Sequence, residues 1–318
     1  MNKKQSDSNK AIYAALGANL GIALMKYIVA FFSKSSSMFS EAVHSTSDTL
    51  NQILLLVGKR KAQEESDKKH PFGHARNRYI YPALVAILLF FVGGVFTIYE
   101  ASHKIQYALA GNNHSIEVKA LIIAAFILFA SICLESFSLR TALKEVKHSK
   151  SQKEKTFHFL KKTKNSEIVV VAIEDITALI GLCLALIGVG LTLLTHNPIF
   201  DAIGGLSIGL LLIIAALILG TRMKSLIVGE SLEDEELALV EKILEANTNV
   251  LKILDIKSIY IGPEDVLLGI KIDYDDSKNF DHNIETNTIE QEIRATLPYK
   301  CYIFIEEDDF KANYQEQR

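Results

Sequence analysis

The segment FSEAVHSTSDTLNQ sets a histidine and an aspartate four residues apart, His44 and Asp48. On a helix that spacing stacks them on one face, and Glu41 and Asn51 extend the stripe in both directions. Imidazole plus carboxylate is a ligand set that suits Zn²⁺ and its neighbours. The surrounding sequence is largely apolar, and an aspartate at mid-membrane costs about 2.5–3.5 kcal/mol on insertion scales. A bound cation or a water-filled cavity offsets that cost. A polar pair that merely pins helices together by hydrogen bonds is the plainer reading, and it suits a lone residue better than a stripe.

A second acidic position lies in VVVAIEDITALIGL, where Glu174 and Asp175 interrupt an apolar run. Adjacent helical residues point about 100° apart, so both cannot face one small site squarely. Asp175 is the first choice as ligand and Glu174 the second. An acid pair serving structure alone would need a basic partner, and Lys26 is the only evident one within an apolar block. The stretch DKKHPFGHARNRY offers Asp67, His70 and His74 around a bend set by Pro71 and Gly73. Three ligand types could converge there on a second cation, although surface histidines in loops are common. Asp201 opens the last apolar block and reads as an interfacial cap. Gly93, Gly94, Gly188, Gly190, Gly204 and Gly205 read as helix-packing contacts. Cys133 and Cys183 read as small packing residues, and with Cys301 they match no disulfide or CxxC metal pattern.

The elements that must position these groups follow from hydropathy. The chain has 318 residues, 49% of them hydrophobic, gathered into blocks of about twenty, the length a helix needs to cross the hydrocarbon of a bilayer. Six spans are expected: Ala11–Phe32, Met38–Val57, Tyr79–Tyr99, Val118–Leu139, Ile168–Leu194 and Ile199–Leu219. The first two are the least apolar and carry Asn19, Lys26, Glu41, His44 and Asp48, at spacings that would turn them to the interior of a bundle. A formal charge of −3 gives no reason to expect nucleic acid as a partner. Lysine and arginine collect in the 59–78 loop and the 140–165 segment, while the alternate connections hold Lys34, then Lys104 and Lys119, then none. That asymmetry expects a cytoplasmic tail at 1–10, a membrane domain over 11–227 and both termini in the cytoplasm. The polar start MNKKQSDSNK has no signal-peptide core and fits a mitochondrial presequence poorly, so the first span is expected to be permanent. The short polar start also favours a bacterial inner membrane.

From about Val228 the composition turns mixed. SLEDEELALVEKILEAN reads as a helix capped by Ser231, LKILDIKSIYIG and VLLGIKIDYDD as strands, NIETNTIEQEIRATL as a helix and KCYIFIEED as a last strand. The order αββαβ predicts a small two-layer, ferredoxin-like α+β domain over 228–318, helices on one face of a sheet.

Together SMFSEAVHSTSDTLNQ, HPFGHARNRYIY, VAIEDITALIGL and DAIGGLSIGLLL resemble the cation diffusion facilitator family across nearly the whole chain. Within it, the TLNQ exit of the second span and the Glu-Asp pair look closest to the branch containing the mitochondrial zinc transporter of animals. The resemblance implies a homodimer in the lipid bilayer that binds a divalent cation between the second and fifth spans and exchanges it for protons. It further implies a pair of ligands four residues apart on each span. His44 and Asp48 match the first pair and Asp175 the second member of the other, whose first member falls on Val171. The missing ligand is left to Glu174, Asn51 or water, and the gap is expected to aid release, so that histidine at Val171 would tighten binding and slow turnover. Asp67, His70 and His74 match a secondary metal site of some members. A dimerising C-terminal domain with weak metal binding or none is expected, since it offers mainly His282 with scattered acids.

These features predict a non-enzymatic exporter with the metal as cargo, Zn²⁺ first, with Mn²⁺, Fe²⁺ and Co²⁺ behind, and no prosthetic group. An intramembrane metal-dependent hydrolase would need water activated at the same ligands, but there is no HExxH and no serine or cysteine nucleophile beside a histidine. A non-transporting metal sensor would need a better-supplied C-terminal domain.

Overall fold

The computed structural model describes residues 3–110, 117–149 and 163–308, and the 150–162 part of the lysine-rich linker lies outside them. Two compact units divide the chain. One is built from Met1–Arg60 and Ile80–Lys224, the other from Lys61–Tyr79 and Ser225–Arg318.

The first unit is helical. Helix α1 spans Lys3–Ser33 and α2 spans Ser36–Ala62. The third helical stretch is interrupted: α3 covers Asn77–Val85, a π-helical turn covers Ala86–Phe91, and α4 covers Val92–Leu109. Pro82 lies inside α3, where it has no N–H to donate, and the widened turn starts one helical turn later. Helix α5 spans Val118–Ser149, α6 Ser166–Thr195 and α7 Ile199–Val228. Among the described residues, four stretches are long and apolar enough to cross a membrane: Asn77–Leu109, Val118–Arg140, Ser166–Thr195 and Ile199–Val228. The apolar part of α1, Asn19–Ser33, is shorter. Helix α2 buries Ser36, Ser37, Ser40, Glu41, His44 and Asn51 rather than an apolar stripe. Its polar face is its inner face, as expected where protein rather than lipid surrounds it.

At one end of this unit the first turn of α7 caps a different helix. The Asp201 carboxylate accepts hydrogen bonds from Ser35 Oγ (2.6 Å), Ser36 N (2.5 Å) and Ser37 N (3.2 Å). Ser37 Oγ donates to the Asp201 carbonyl at 2.8 Å. A carboxylate on the free N–H groups that open α2 satisfies donors that helix cannot pair itself, and it complements the helix dipole. Gly188, Gly204 and Gly205 let α6 and α7 approach Ser36 and Ser37 here. Gly94 meets the Gly209 backbone in the same close-packed manner, whereas Gly190 contacts nothing. Cys133 and Cys183 are exposed rather than packed. They sit on the outward faces of α5 and α6, where a thiol behaves as one more weakly polar group.

The second unit keeps the expected order: α8 Asp234–Ala246, β1 Val250–Gly262, β2 Asp265–Tyr274, α9 His282–Thr296 and β3 Lys300–Glu307. Strands β1 and β2 are antiparallel, β2 and β3 parallel, in the order β1-β2-β3. Alternate residues of β2 are buried, so one face of the sheet is covered. Val240 and Leu244 of α8 and Ile289 and Ile293 of α9 pack with Leu268, Ile270 and Ile272 of β2 in that core. Ser231 is not the cap of α8. Glu233 is, in a reciprocal capping box with Glu236, while Ser231 bonds to Ser258.

Candidate metal centre

His44 and Asp48 stand on one face of α2, with Nδ1 3.6 Å from Oδ1. His44 is 2% exposed, and neither ring nitrogen has a hydrogen-bond partner among the described residues. Phe90 of the π-helical turn stands beside the imidazole, ring centroids 6.1 Å apart. A buried imidazole with both nitrogens unsatisfied keeps its lone pair available to an incoming ligand.

Helix α6 brings Glu174 to this face. Asn51 donates to the Glu174 carboxylate, and the Asp48 and Glu174 carboxyls are close neighbours. Asp175, the first choice on sequence, points about 100° away on α6 and toward α5, where Ser138 and Glu135 lie near its carboxyl. One turn before Glu174 stands Val170, fully buried, whereas Val171 is 38% exposed. Val170 thus stands one turn before Glu174 on the buried face, and Val171 one turn before Asp175.

A cavity of about 540 Å³ opens beside these groups, lined by Lys26, Asp48, Glu135, Ser138, Glu174 and Asp175 together with apolar side chains of α1 and α5. Its walls come from the middle of α1, through Asn19, Ile22 and Lys26, and from the middle of α2, from Ser45 to Gln52. It thus lies away from the Asp201 cap, toward the C-terminal sides of α2 and α5. Lys26 is 4% exposed; its Nζ lies 3.2 Å from Glu41 Oε2 and 2.8 Å from Ser45 Oγ. Gly181 admits Glu41, since a Cβ there would sit 2.9 Å from Glu41 Oε1.

Sequence reasoning passed over Glu135 and weighed Lys26 only against the Glu174–Asp175 pair, whereas its partner is Glu41. The signal for Glu135 was present: a carboxylate inside the apolar run LFASICLESFSL marks a functional position by default. The Lys26–Glu41 pair, fifteen residues apart across a helix turn-around, has no local spacing rule to reveal it.

Residues 12–223 match the cation efflux transmembrane domain family, two-thirds of the chain. The chain belongs to the cation efflux family. It is 30% identical over 268 residues to a mitochondrial proton-coupled zinc antiporter of Mus musculus, which covers 84% of this chain and 46% of the relative. It is 28% identical to metal tolerance protein C4 of Arabidopsis thaliana, over 84% of this chain and 57% of the relative. An uncharacterized transporter of Methanocaldococcus jannaschii matches at 25% identity, over 87% of this chain and 90% of the relative. The chain spans about half the length of the first two. These relatives are transporters and not enzymes.

This cation efflux protein also carries two exposed trios in its second unit. Asp67, His70 and His74 offer ligand atoms that all lie within 4.8 Å of one another. The bend expected at Pro71 and Gly73 forms, with Gly73 at φ +80°. Asp67 accepts from the backbone N–H groups of Lys69 and His70, both at 2.7 Å. Those bonds and the His70 ring hold its carboxyl below the usual range. The loop is docked on the sheet domain: Arg78 pairs with Glu264 at 2.9 Å and Phe72 meets Tyr302 edge-on.

The second trio is Asp276, His282 and Glu307. His282 Nδ1 is 2.9 Å from Glu307 Oε1, and the carboxylate pushes the imidazole up from its ordinary value. The sequence shows His282 only with scattered acids; the parallel pairing of β3 to β2 is what brings Glu307 to it. In the first unit, the His44, Asp48 and Glu174 ligand atoms are spread more widely than in either trio.

Proposed function

We propose that the chain is a divalent-cation:proton antiporter that exports Zn²⁺ from the cytoplasm across six spans, with His44, Asp48 and Glu174 as its transport site. The observation that carries this reading is the buried imidazole beside an acid-lined cavity. Both nitrogens of His44 lack partners, and two carboxyls from separate helices share one face with it. A nitrogen with oxygens suits zinc more than magnesium or calcium. The named activity of the mouse relative, a proton-coupled zinc antiporter, agrees with this choice. Asp175 is kept as a neighbouring ligand rather than the principal one.

The chemistry follows from the ligands. They must be deprotonated to bind metal, so each cation that enters displaces protons, and a proton gradient competes the metal off on the far side. The cavity lies on the side of the Asp201 cap that leads to the C-terminal ends of α2 and α5, and the lysines and arginines in the sequence there support a cytoplasmic opening. The Asp201 knot closes the opposite end, and transport requires it to open as the cavity closes. Both termini are then cytoplasmic. Residues 228–318 form a cytoplasmic domain that joins two copies into a homodimer, and Asp67, His70 and His74 hold a second cation.

The test is Zn²⁺ uptake into proteoliposomes with and without an imposed pH gradient. Gradient-dependent uptake that falls at least about a hundredfold in Asp48→Ala is expected, the scale of losing a ligand on which each step depends. If neither zinc nor manganese, iron or cobalt is taken up, the transport reading is wrong.

A further inference from the structure

The transport reading uses α2 and α6, but the cavity has a third acidic wall that it leaves idle. On α5, Ser131, Glu135 and Ser138 recur at helical spacing and all line the cavity. Asp175 faces them from α6. It is only 9% exposed, its Oδ2 has no hydrogen-bond partner, and it too lines the cavity. Lys26 is the lysine in the lining, and its short contacts go to Glu41 and Ser45. Four carboxyls, those of Asp48, Glu135, Glu174 and Asp175, therefore line one cavity of about 540 Å³, and Asp175 has no ion pair there among the described residues.

We infer that Glu135 and Asp175, with Ser138, form a second divalent-cation subsite, an entrance station from which the metal passes inward to Asp48, Glu174 and His44. This inference rests on the transport reading above. The two stations differ in chemistry. The outer one offers only oxygens and lies in the open cavity, so it takes a cation that keeps most of its water. The inner one adds an imidazole that does not line the cavity at all, and binding there requires water to be shed. Splitting dehydration between two stations lowers each step, and it places the less selective ligands first. The adjacency of Glu174 and Asp175 serves this arrangement: neighbours 100° apart on α6 face different helices, one the deep site and the other the entrance.

Zn²⁺ uptake into proteoliposomes is measured against zinc concentration for the wild-type chain, Glu135→Gln and Asp48→Ala. Glu135→Gln is expected to raise KM about tenfold with the maximal rate kept within about twofold, and Glu135→Asp to recover part of the loss. Ser138→Ala, a smaller change on the same face, should move KM the same way by about twofold to threefold. An unchanged KM in Glu135→Gln while Asp48→Ala is silent overturns the subsite and leaves the deep site standing. A lower maximal rate at unchanged KM also overturns it, because it would make Glu135 a support of the fold. Uptake that survives Asp48→Ala overturns the deep site and the hand-over together. Equilibrium binding gives a readout independent of turnover. With His74→Ala and His282→Ala disabling the exposed trios, Zn²⁺ titration of full-length Asp48→Ala should retain one weak site, which Glu135→Gln removes. Equal stoichiometry with and without Glu135 contradicts the inference.

Discussion

His44 and His70 each have an aspartate close by in sequence, Asp48 four residues on and Asp67 three residues back, yet the two pairs live in opposite solvation. Asp67 is exposed, and its carboxylate is satisfied by two backbone N–H groups before any cation arrives. His70 and His74 lie against it with rings 4.4 Å apart. That trio is pre-paired, and water competes for every ligand. His44 is buried with both nitrogens unsatisfied, and its carboxylate neighbours come from separate helices. The same residue types thus give a preformed, screened site in the second unit and a loose, poorly solvated one in the first. The difference teaches where energy is available for coupling. An exposed pair gains little from association, whereas buried groups left incomplete gain much from whatever completes them.

Three changes sharpen that contrast. The largest effect is expected at Lys26. Its ion pair with Glu41 is buried on both sides, so Lys26→Met leaves a carboxylate without its partner and should destabilise the protein by about 3–5 kcal/mol. Adding Glu41→Gln should restore most of that. Thermal unfolding of the two variants in detergent measures it, and equal instability of single and double variants would show that the pair is not what holds this end of α1 to α2.

A mid-sized effect separates two adjacent valines. Val170→His adds an imidazole one turn before Glu174 on the buried face, and should tighten zinc binding about tenfold, roughly 1.4 kcal/mol, while slowing turnover. Val171→His adds it to a partly exposed position and should change neither. Competition with a zinc-sensitive dye gives the affinities. The reverse order would return the principal role to Asp175.

The smallest effect belongs to the exposed His282–Glu307 pair. Glu307 raises the His282 pKa above its ordinary value. The pair therefore stabilises the folded state fully below about pH 6.5, the ordinary imidazole value, and that contribution is lost as pH rises through the raised pKa. Glu307→Gln should return the titration midpoint of His282, followed by NMR, to the ordinary range with little change in thermal stability. An unmoved midpoint would mean that Glu307 does not set it.

How much of this was legible in the sequence depends on whether the relation is local. His44 and Asp48 declare their common face through a four-residue spacing, and the αββαβ order was readable from the alternation of β2 and the acidic first turn of α8, although its cap is Glu233 and not Ser231. The choice between Glu174 and Asp175 was not readable. Both lie in the same apolar run, and only the rotation of α6 against α2 and α5 decides which acid faces which helix. Asp201 was read as a cap, but the helix that it caps, α2, lies 165 residues back in the chain. Asp276, His282 and Glu307 meet only because β3 pairs with β2 in parallel. Glu135 was legible by the same rule that singled out Asp48, and was missed for want of a second ligand type at helical spacing.

The most direct test of the central claim is the number of protons released per zinc bound by the purified full-length protein, from calorimetric titrations in buffers of different ionisation enthalpy. Release of about one to two protons per zinc near pH 7 is expected for the wild-type chain, falling clearly in Asp48→Ala. Binding without proton release, or the same release in the variant, would contradict His44, Asp48 and Glu174 as the site where metal and protons exchange.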